Sequence, residues 1–446
     1  MPINRSFGDA RLLRDLRRRR VVVAAGGEEL EGRSDQSLPR QFGCGHGCES
    51  TSFPAVSSPI DHFGGVAAMR MLVLGAGLQG SACAYDLLQR PDVKRVTLAD
   101  LNPRRVAAFL KKKTDKRLVV SRLDAKSHPR LRKLMRGHDA VMNALPYYFN
   151  YPVAKAAVAM GLHCADLGGN TEIVQKQKTL HAAAQKKRVS IIPDCGLAPG
   201  MVNIIAAEGI RRVGDAESVK IFVGGLPQKP EPPLNYQIVY SLEGALDYYT
   251  TPSWVLREGR PERVDALSEL EDVDFPSPVG TLEAFHTGGG ISTMPWAYQG
   301  KVRTMEYKTL RYPGHVAIMR PIREMGLLSV EPVKMKGTEI VPRDAFIAAV
   351  SPQLTKPNGR DLVALRVEVQ GRSGKRVAWQ LLDYFDEATG ISAMMRTTGY
   401  SLAITGVMQV DGRIRSAGVY TPDEAVPFQA YVDELKRRGV EIREVR

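Results

Sequence analysis

The chain has 446 residues, 25% of them charged and 43% apolar, with five cysteines and a formal net charge of +14. That length supports two or three domains whose core needs no disulfide staples, and the ordinary hydrophobicity excludes a mostly unfolded polypeptide. The longest apolar runs, such as Val21–Ala25 and Met71–Leu74, fall far short of the roughly 20 residues that cross a bilayer, so no membrane partner is expected. Cys83, Cys164 and Cys195 stand singly along the body, the usage of a reduced, cytoplasmic protein.

Residues 1–68 carry nine arginines, no lysine and eight acidic residues, a net of only +1. Arg17–Arg20 and the short apolar run after them lack the length of a twin-arginine signal, and the acidic residues speak against a transit peptide. Cys44-Gly-His-Gly-Cys48 offers two thiolates and an imidazole without a second ligand pair, so no metal site is expected. The stretch reads as a disordered leader, with Met69 or Met71 as the natural beginning of the fold. The remaining +13 reads as spread over solvated helix ends at Lys111–Lys113, Lys186–Arg188 and Lys436–Arg438, where cations complement the helix dipole. No basic stripe alternates with aromatic residues, so no nucleic-acid partner is expected.

The folded pattern begins at Arg70. Met71–Leu74 is a short apolar strand, followed at once by Gly75-Ala-Gly-Leu-Gln-Gly80 and a helical pattern through Ala82, Ala84, Leu87 and Leu88. A strand before and a helix after are the context that makes this glycine pattern a dinucleotide fingerprint. Gly75 permits the turn, Gly77 lets the backbone approach a pyrophosphate and Gly80 allows close helix–strand packing. Leu78 and Gln79 open the helix whose N-terminus faces the phosphates. A second strand, Arg95–Ala99, ends in Asp100, twenty residues past Gly80, where a carboxylate binds the ribose 2′-hydroxyl and repels a 2′-phosphate. NAD is the expected cofactor, and NADP stays open because Arg104 and Arg105 follow closely.

Leu118–Ser121 is the third strand and leads to Asp124, a neighbour for the adenine. Ala140–Asn143 is the fourth, and Asn143, Ala144 and Leu145 at its end join the cofactor set. His163–Leu167 and Val189–Pro193 complete the series, with helices over 128–136, 151–160 and 171–187. This alternation predicts a Rossmann-type, doubly wound parallel sheet over 69–200, with ligands beyond the carboxyl ends of its strands. Tyr147, Tyr148, Asp166, Asp194 and Cys195 fall at those ends, and Cys195 reads as apolar filler. A helix over Met201–Arg212, a strand over Ser218–Val223, and Val363–Val369 and Arg376–Phe385 flanking a turn at Gly371–Gly374 predict a second, α+β domain over 201–395 for substrate and dimerisation. Ser401–Met408 and Phe428–Arg438 read as helices of a final segment, 396–446.

Leu74-Gly-Ala-Gly-Leu-Gln-Gly80, Asp166-Leu-Gly-Gly169 and Pro193-Asp-Cys-Gly-Leu-Ala-Pro-Gly200 resemble the saccharopine dehydrogenase-like oxidoreductases. Pro230–Tyr236, Ser241–Gly244, Glu283–Gly289 and Glu306–His315 are most similar to the lysine 6-dehydrogenase branch of that family. The resemblance covers about 69–446. It implies a homodimer or larger assembly, a C-terminal segment with Arg396–Tyr400 folding back to the nucleotide domain, and a small amino-acid substrate. The implied chemistry is hydride transfer from the carbon bearing the 6-amino group of lysine. A saccharopine-type secondary amine and a non-catalytic NAD sensor are the alternatives. Asp166 is the first candidate to hold or deprotonate the amine, with His286 and His315 as alternative bases. Arg311 is the candidate for the substrate carboxylate, since a guanidinium binds it as a planar fork. Tyr148, Glu243 and His315 are further candidates for the substrate pocket.

Overall fold

The computed structural model describes residues 68–445, so the expected leader, including Cys44 and Cys48, lies outside them but for Ala68. Six parallel strands open the fold: β1 (Met69–Leu74), β2 (Val93–Asp100), β3 (Leu118–Arg122), β4 (Ala140–Asn143), β5 (His163–Asp166) and β6 (Ser190–Ile192). They lie in the order β6-β5-β4-β1-β2-β3, and a two-residue strand, Gly418–Val419, extends the sheet beside β6. In β1, Met71 and Val73 enter one hydrophobic cluster while Leu72 and Leu74 enter the other. A strand covered on both faces reads as an unbroken apolar run for this reason. The order in which successive strands are added reverses between β1 and β4, which places the ligand crevice at their carboxyl ends.

The longer helices of this half are α1 (Leu78–Leu87), α2 (His128–Met135), α3 (Asn150–Met160), α4 (Thr171–Lys178) and α5 (His181–Lys187). The single helix expected over 171–187 is two. The Thr179 hydroxyl donates to the Lys176 carbonyl at 2.7 Å, the local competition with the helix ladder that threonine is prone to.

The second half begins with α6 (Met201–Val213) and builds a mixed sheet from β7 (Ala216–Pro227), β8 (Gly280–His286), β9 (Thr304–Arg311), β10 (Asp361–Gly371) and β11 (Arg376–Tyr384). The order is β8-β9-β7-β10-β11, with Glu271–Phe275 and Arg443–Val445 outside it. Only the β9–β7 pair is parallel among these neighbours. The predicted hairpin is β10–β11. Two helices, α7 (Leu242–Thr250) and α8 (His315–Glu324), flank this sheet's functional face. The long α9 (Ala393–Val410) then returns to pack on α1, β4 and β5. Gly399 makes that approach possible, because a Cβ there would stand 2.7 Å from the Gln79 carbonyl oxygen. None of the described helices is long and apolar enough to cross a membrane.

The charge is not spread as expected. Residues 90–137 hold sixteen basic and four acidic residues, +12 of the chain's +14. The fold collects that segment, β2 through α2, at the β3 edge of the parallel sheet.

The last helix, α10 (Phe428–Arg437), is followed by Arg438, which reaches α1. Arg438 forms a fork on Asp86 at 2.6 and 2.9 Å and also meets Glu434 at 2.6 Å. Removing one partner of a buried pair strands the other charge. Arg438→Met is therefore expected to cost about 3–5 kcal/mol in urea unfolding. Adding Asp86→Asn should recover part of that loss, which a double-mutant cycle would measure.

Candidate functional site

The glycine loop fits a dinucleotide on the evidence of its own packing. Gly75 has φ +95°, and a Cβ there would lie 2.7 Å from the Ala144 carbonyl oxygen at the end of β4. A Cβ on Gly80 would overlap the Gly75 carbonyl, whereas Gly77 faces nothing within 4 Å and leaves room for a pyrophosphate. Asp100 accepts hydrogen bonds from the backbone N–H of Ala76 (2.8 Å) and Asn102 (2.7 Å), which fixes its carboxylate against the loop. Leu78 is exposed, and the Gln79 side-chain oxygen is buried without a partner. Asp124 holds the turn after β3 by accepting from Lys126 N–H at 3.0 Å. Buried Asn143 donates to Asn150 at 2.8 Å and, more weakly, accepts from Leu145 N–H at 3.4 Å.

A cavity of about 220 Å³ opens where the two sheets face each other, walled by Gln79, Gly196–Ala198, Tyr240, Tyr248, Tyr307 and Arg311 among others. Arg311 is 3% exposed and makes no ion pair with any described residue. Its cross-strand neighbour Glu283 is engaged elsewhere, accepting from Gly314 and Val316 N–H at the start of α8 (2.9 and 2.7 Å). A relay of neutral groups holds the guanidinium instead. Arg311 Nε donates to the Tyr249 hydroxyl at 3.1 Å, and Nη1 to the Leu310 carbonyl at 2.8 Å. The Tyr249 hydroxyl lies 3.0 Å from His315 Nε2, and His315 Nδ1 lies 3.1 Å from the Leu234 carbonyl. A carbonyl only accepts, so Nδ1 carries the proton and Nε2 accepts from Tyr249. The Tyr236 ring stacks under the guanidinium at 4.8 Å.

This relay removes His315 from the candidate bases and from direct substrate contact. Both its nitrogens are engaged, and burial, helped by the nearby Arg311 charge, pushes its pKa down to about 3. His286 is displaced for a different reason. It pairs with Lys308 in the β8–β9 register, and alternate strand residues point to opposite faces. His286 therefore faces away from Tyr307, Thr309 and Arg311. Its Nε2 meets Glu269 at 3.1 Å. Glu269, His286 and Glu306 come close enough to suggest a metal, but Arg257 already bridges the two glutamates at 2.7 and 2.8 Å. The cluster is an ion-pair network. Tyr148 and Glu243 are exposed and stand outside the cavity wall.

Asp166 lies behind the wall rather than in it. Its Oδ1 accepts from Asn150 (3.0 Å) and Gly168 N–H (2.8 Å), and its Oδ2 from Gln177 (2.6 Å). Burial nevertheless pushes it up to about 6. The neighbouring Asp194, at φ +62° just past β6, has both carboxyl oxygens buried with no well-formed hydrogen bond, the Ser292 hydroxyl lying close enough to oppose the effect of burial. Burial, reinforced by the charge of Asp166, pushes it up to about 7. Tyr248, which does line the cavity, feels that charge: its pKa is raised by burial first, then by Tyr307 and Asp194. Tyr240, Tyr248, Tyr249 and Tyr307 escaped the sequence reading. Tyr307 packs where a Cβ on Gly290 would overlap its ring, a fit that appears only once the strands are in place.

Comparison with known proteins places these features in a family. Residues 71–192 match the family described as saccharopine dehydrogenase NADP binding domain, and residues 196–440 match the saccharopine dehydrogenase C-terminal domain. The mitochondrial alpha-aminoadipic semialdehyde synthase of Bos taurus is 22% identical over 83% of this chain and 47% of its own length. The chain thus spans about half the length of that relative. Saccharopine dehydrogenase [NADP(+), L-glutamate-forming] of Schizosaccharomyces pombe is 21% identical over 84% of this chain and 98% of its own. Among solved structures, apo saccharopine dehydrogenase (L-Glu forming) from Saccharomyces cerevisiae matches with a TM-score of 0.69 and 21% identity, covering 84% of this chain and 99% of that one.

Asp194 makes a test of the site's electrostatics. Its folded pKa of about 7 lies above the ordinary 3.8, so between those values the folded state holds the proton that the unfolded state releases. Its contribution to stability therefore falls as pH rises through that window. Asp194→Asn should raise the melting temperature relative to the parent, by more at pH 8 than at pH 5; parallel melting profiles would contradict the assignment.

Proposed function

Because the chain belongs to the saccharopine dehydrogenase family, we propose that it catalyses the NAD-dependent oxidative deamination of the 6-amino group of L-lysine. The coarser part of this reading, an NAD(P)-binding oxidoreductase acting on amino groups, is supported by the two family matches and by the saccharopine dehydrogenase relatives. The finer one rests on a single observation. The cavity has one cation, Arg311, buried and free of any described carboxylate. A buried charge without a counterion is costly, so the arrangement suits a ligand that brings one carboxylate. Saccharopine brings three. Around the adjoining recess at Tyr236, Lys356 and Arg360 are paired with Glu231 and Glu387, and Lys229 is the one cation of that lining without an ion pair among the described residues.

The bound nicotinamide supplies a hydride acceptor. Gly75–Gly80 and Asp100 would hold the dinucleotide, and Asp100 favours NAD because its fixed charge repels a 2′-phosphate. Arg311, oriented by Tyr249 and His315, fixes the lysine carboxylate and so the distance of C6 from the cofactor. The tyrosine-rich wall excludes water. Burial beside the Arg311 charge also favours the neutral amine, the form that can lose hydride from its carbon. Hydride leaves C6, a proton leaves the nitrogen, and an imine forms. We assign the proton to Asp194, which lies just behind the cavity wall and near enough to Tyr248 to be felt as a charge, in place of Asp166. Water then adds to the imine, ammonia leaves, and the semialdehyde cyclises onto its own α-amine. A homodimer or larger assembly belongs to the same proposal.

Purified protein with NAD should produce NADH from L-lysine. Arg311→Met should lower kcat/KM for lysine by about 10²–10³-fold, the loss expected when a buried charge pair is truncated, with NAD binding unchanged. NADH from saccharopine alone would overturn the substrate assignment. NAD binding with no turnover on either amine would favour the sensor.

A further inference from the structure

The groove between α2 and the β2–β3 end of the parallel sheet has no role in the chemistry above. It encloses about 580 Å³, and none of Gly75–Gly80 or Asp100 lines it. Arg95 on β2, Arg122 at the end of β3, Arg130 and Lys133 on α2, and Arg136 just past its end surround it, with His138 at its floor.

Five unpaired cations around one concave volume contrast with the arginines that tie the fold together. Arg343, Arg396, Arg413 and Arg438 all meet carboxylates. None of the five makes an ion pair or a side-chain hydrogen bond to any described residue; of the cations on the wall, only Arg70 finds a carboxylate, Asp139, at 3.6 Å. His138 Nε2 meets the Thr97 hydroxyl at 2.8 Å, while its Nδ1 is buried without a partner. A helix-end role accounts for Lys133 and Arg136, which complement the carboxyl end of α2. It does not account for Arg130, in the half of the helix where cations are disfavoured, nor for Arg95 and Arg122 on strands. Helix α2 carries no acidic residue, and like charges three apart along a helix destabilise it. The fold thus accepts a repulsion that an anion would relieve.

We propose that this groove is a binding site for a compact polyanion carrying two or more phosphate groups. Guanidinium forks match phosphate oxygens, and several cations converge on one concave volume. A nucleic-acid strand fits less well, because no Phe, Tyr or Trp lines the groove to stack a base and the His138 ring is tied to Thr97.

The test uses the full-length protein saturated with NAD, so that the cofactor site is occupied. Inorganic tripolyphosphate, titrated by calorimetry and by thermal melting at constant ionic strength, should bind and raise the melting temperature. Arg130→Gln/Lys133→Gln, at exposed positions, should lose about tenfold or more in affinity, the scale of a charge-assisted hydrogen bond. Without tripolyphosphate, the same variant should melt no lower than the parent, because it removes repulsion. A control, Lys186→Gln/Lys187→Gln at the end of α5, should bind as the parent does. A nucleoside triphosphate arm should bind comparably, showing that the phosphates are what is read. Equal affinity in parent and groove variant, equal loss in the control, or no binding at millimolar tripolyphosphate would each overturn the proposal. Tighter binding of a single-stranded oligonucleotide than of tripolyphosphate would overturn it in favour of a nucleic-acid surface.

Discussion

A guanidinium buried without a carboxylate governs the architecture of the site. Arg311 sits at the end of a central strand, and nothing of opposite charge among the described residues meets it. Removing a charge from water is costly, so the surroundings must either neutralise it or supply dipoles until a ligand does. Here they supply dipoles. The hydroxyl of Tyr249, the tautomer of His315 and the Leu234 carbonyl form one directed chain. Its members come from α7, α8 and the loop before α7, which explains why those elements converge on one end of β9.

The same constraint joins the two halves of the molecule. The nucleotide sheet offers a glycine loop and an acid beside it, and the mixed sheet offers the cation. Helix α9 ties them by lying on α1 at glycine distance while its first turn is capped by Asp361, whose carboxylate accepts from Ala393 and Met394 N–H at 2.8 and 2.9 Å. The loop from β6 to α6 brings Gly196–Ala198 into the cavity wall and leaves Asp194 behind it. A buried carboxyl with no well-formed hydrogen bond is expected where a proton must be held near neutral pH. Asp166, which the sequence made the leading base, instead spends its oxygens on Asn150, Gly168 and Gln177.

The parallel sheet was legible because its signals are local. Each short apolar run, its turn and its helix lie within about thirty residues, and strands such as Ala140–Asn143 follow from them. The mixed sheet was not legible in the same way. β7 pairs with β9 and β10 across long stretches of chain, and no window of sequence reveals that register. His286 shows the consequence: adjacent to the correct face by one residue, it is turned away by the strand period. Arg311 was found from its chemistry, but the tyrosines that hold it were not, since a tyrosine on α7 reads as ordinary core. The charge shows a different gap. Basic residues scattered over 90–137 look ordinary along the chain, and only the stacking of β2, β3 and α2 brings Arg95, Arg122, Arg130 and Lys133 to one edge.

Selection of the substrate by Arg311 through a single carboxylate is open to direct measurement. The direct measurement compares kcat/KM for L-lysine with that for 1,5-diaminopentane, which keeps the reacting amine and lacks the carboxylate. The parent enzyme should prefer lysine by about 10²-fold or more, the scale of a buried charge pair. In Arg311→Met that preference should collapse toward unity while turnover of the diamine persists. An unchanged preference in the variant would contradict the account.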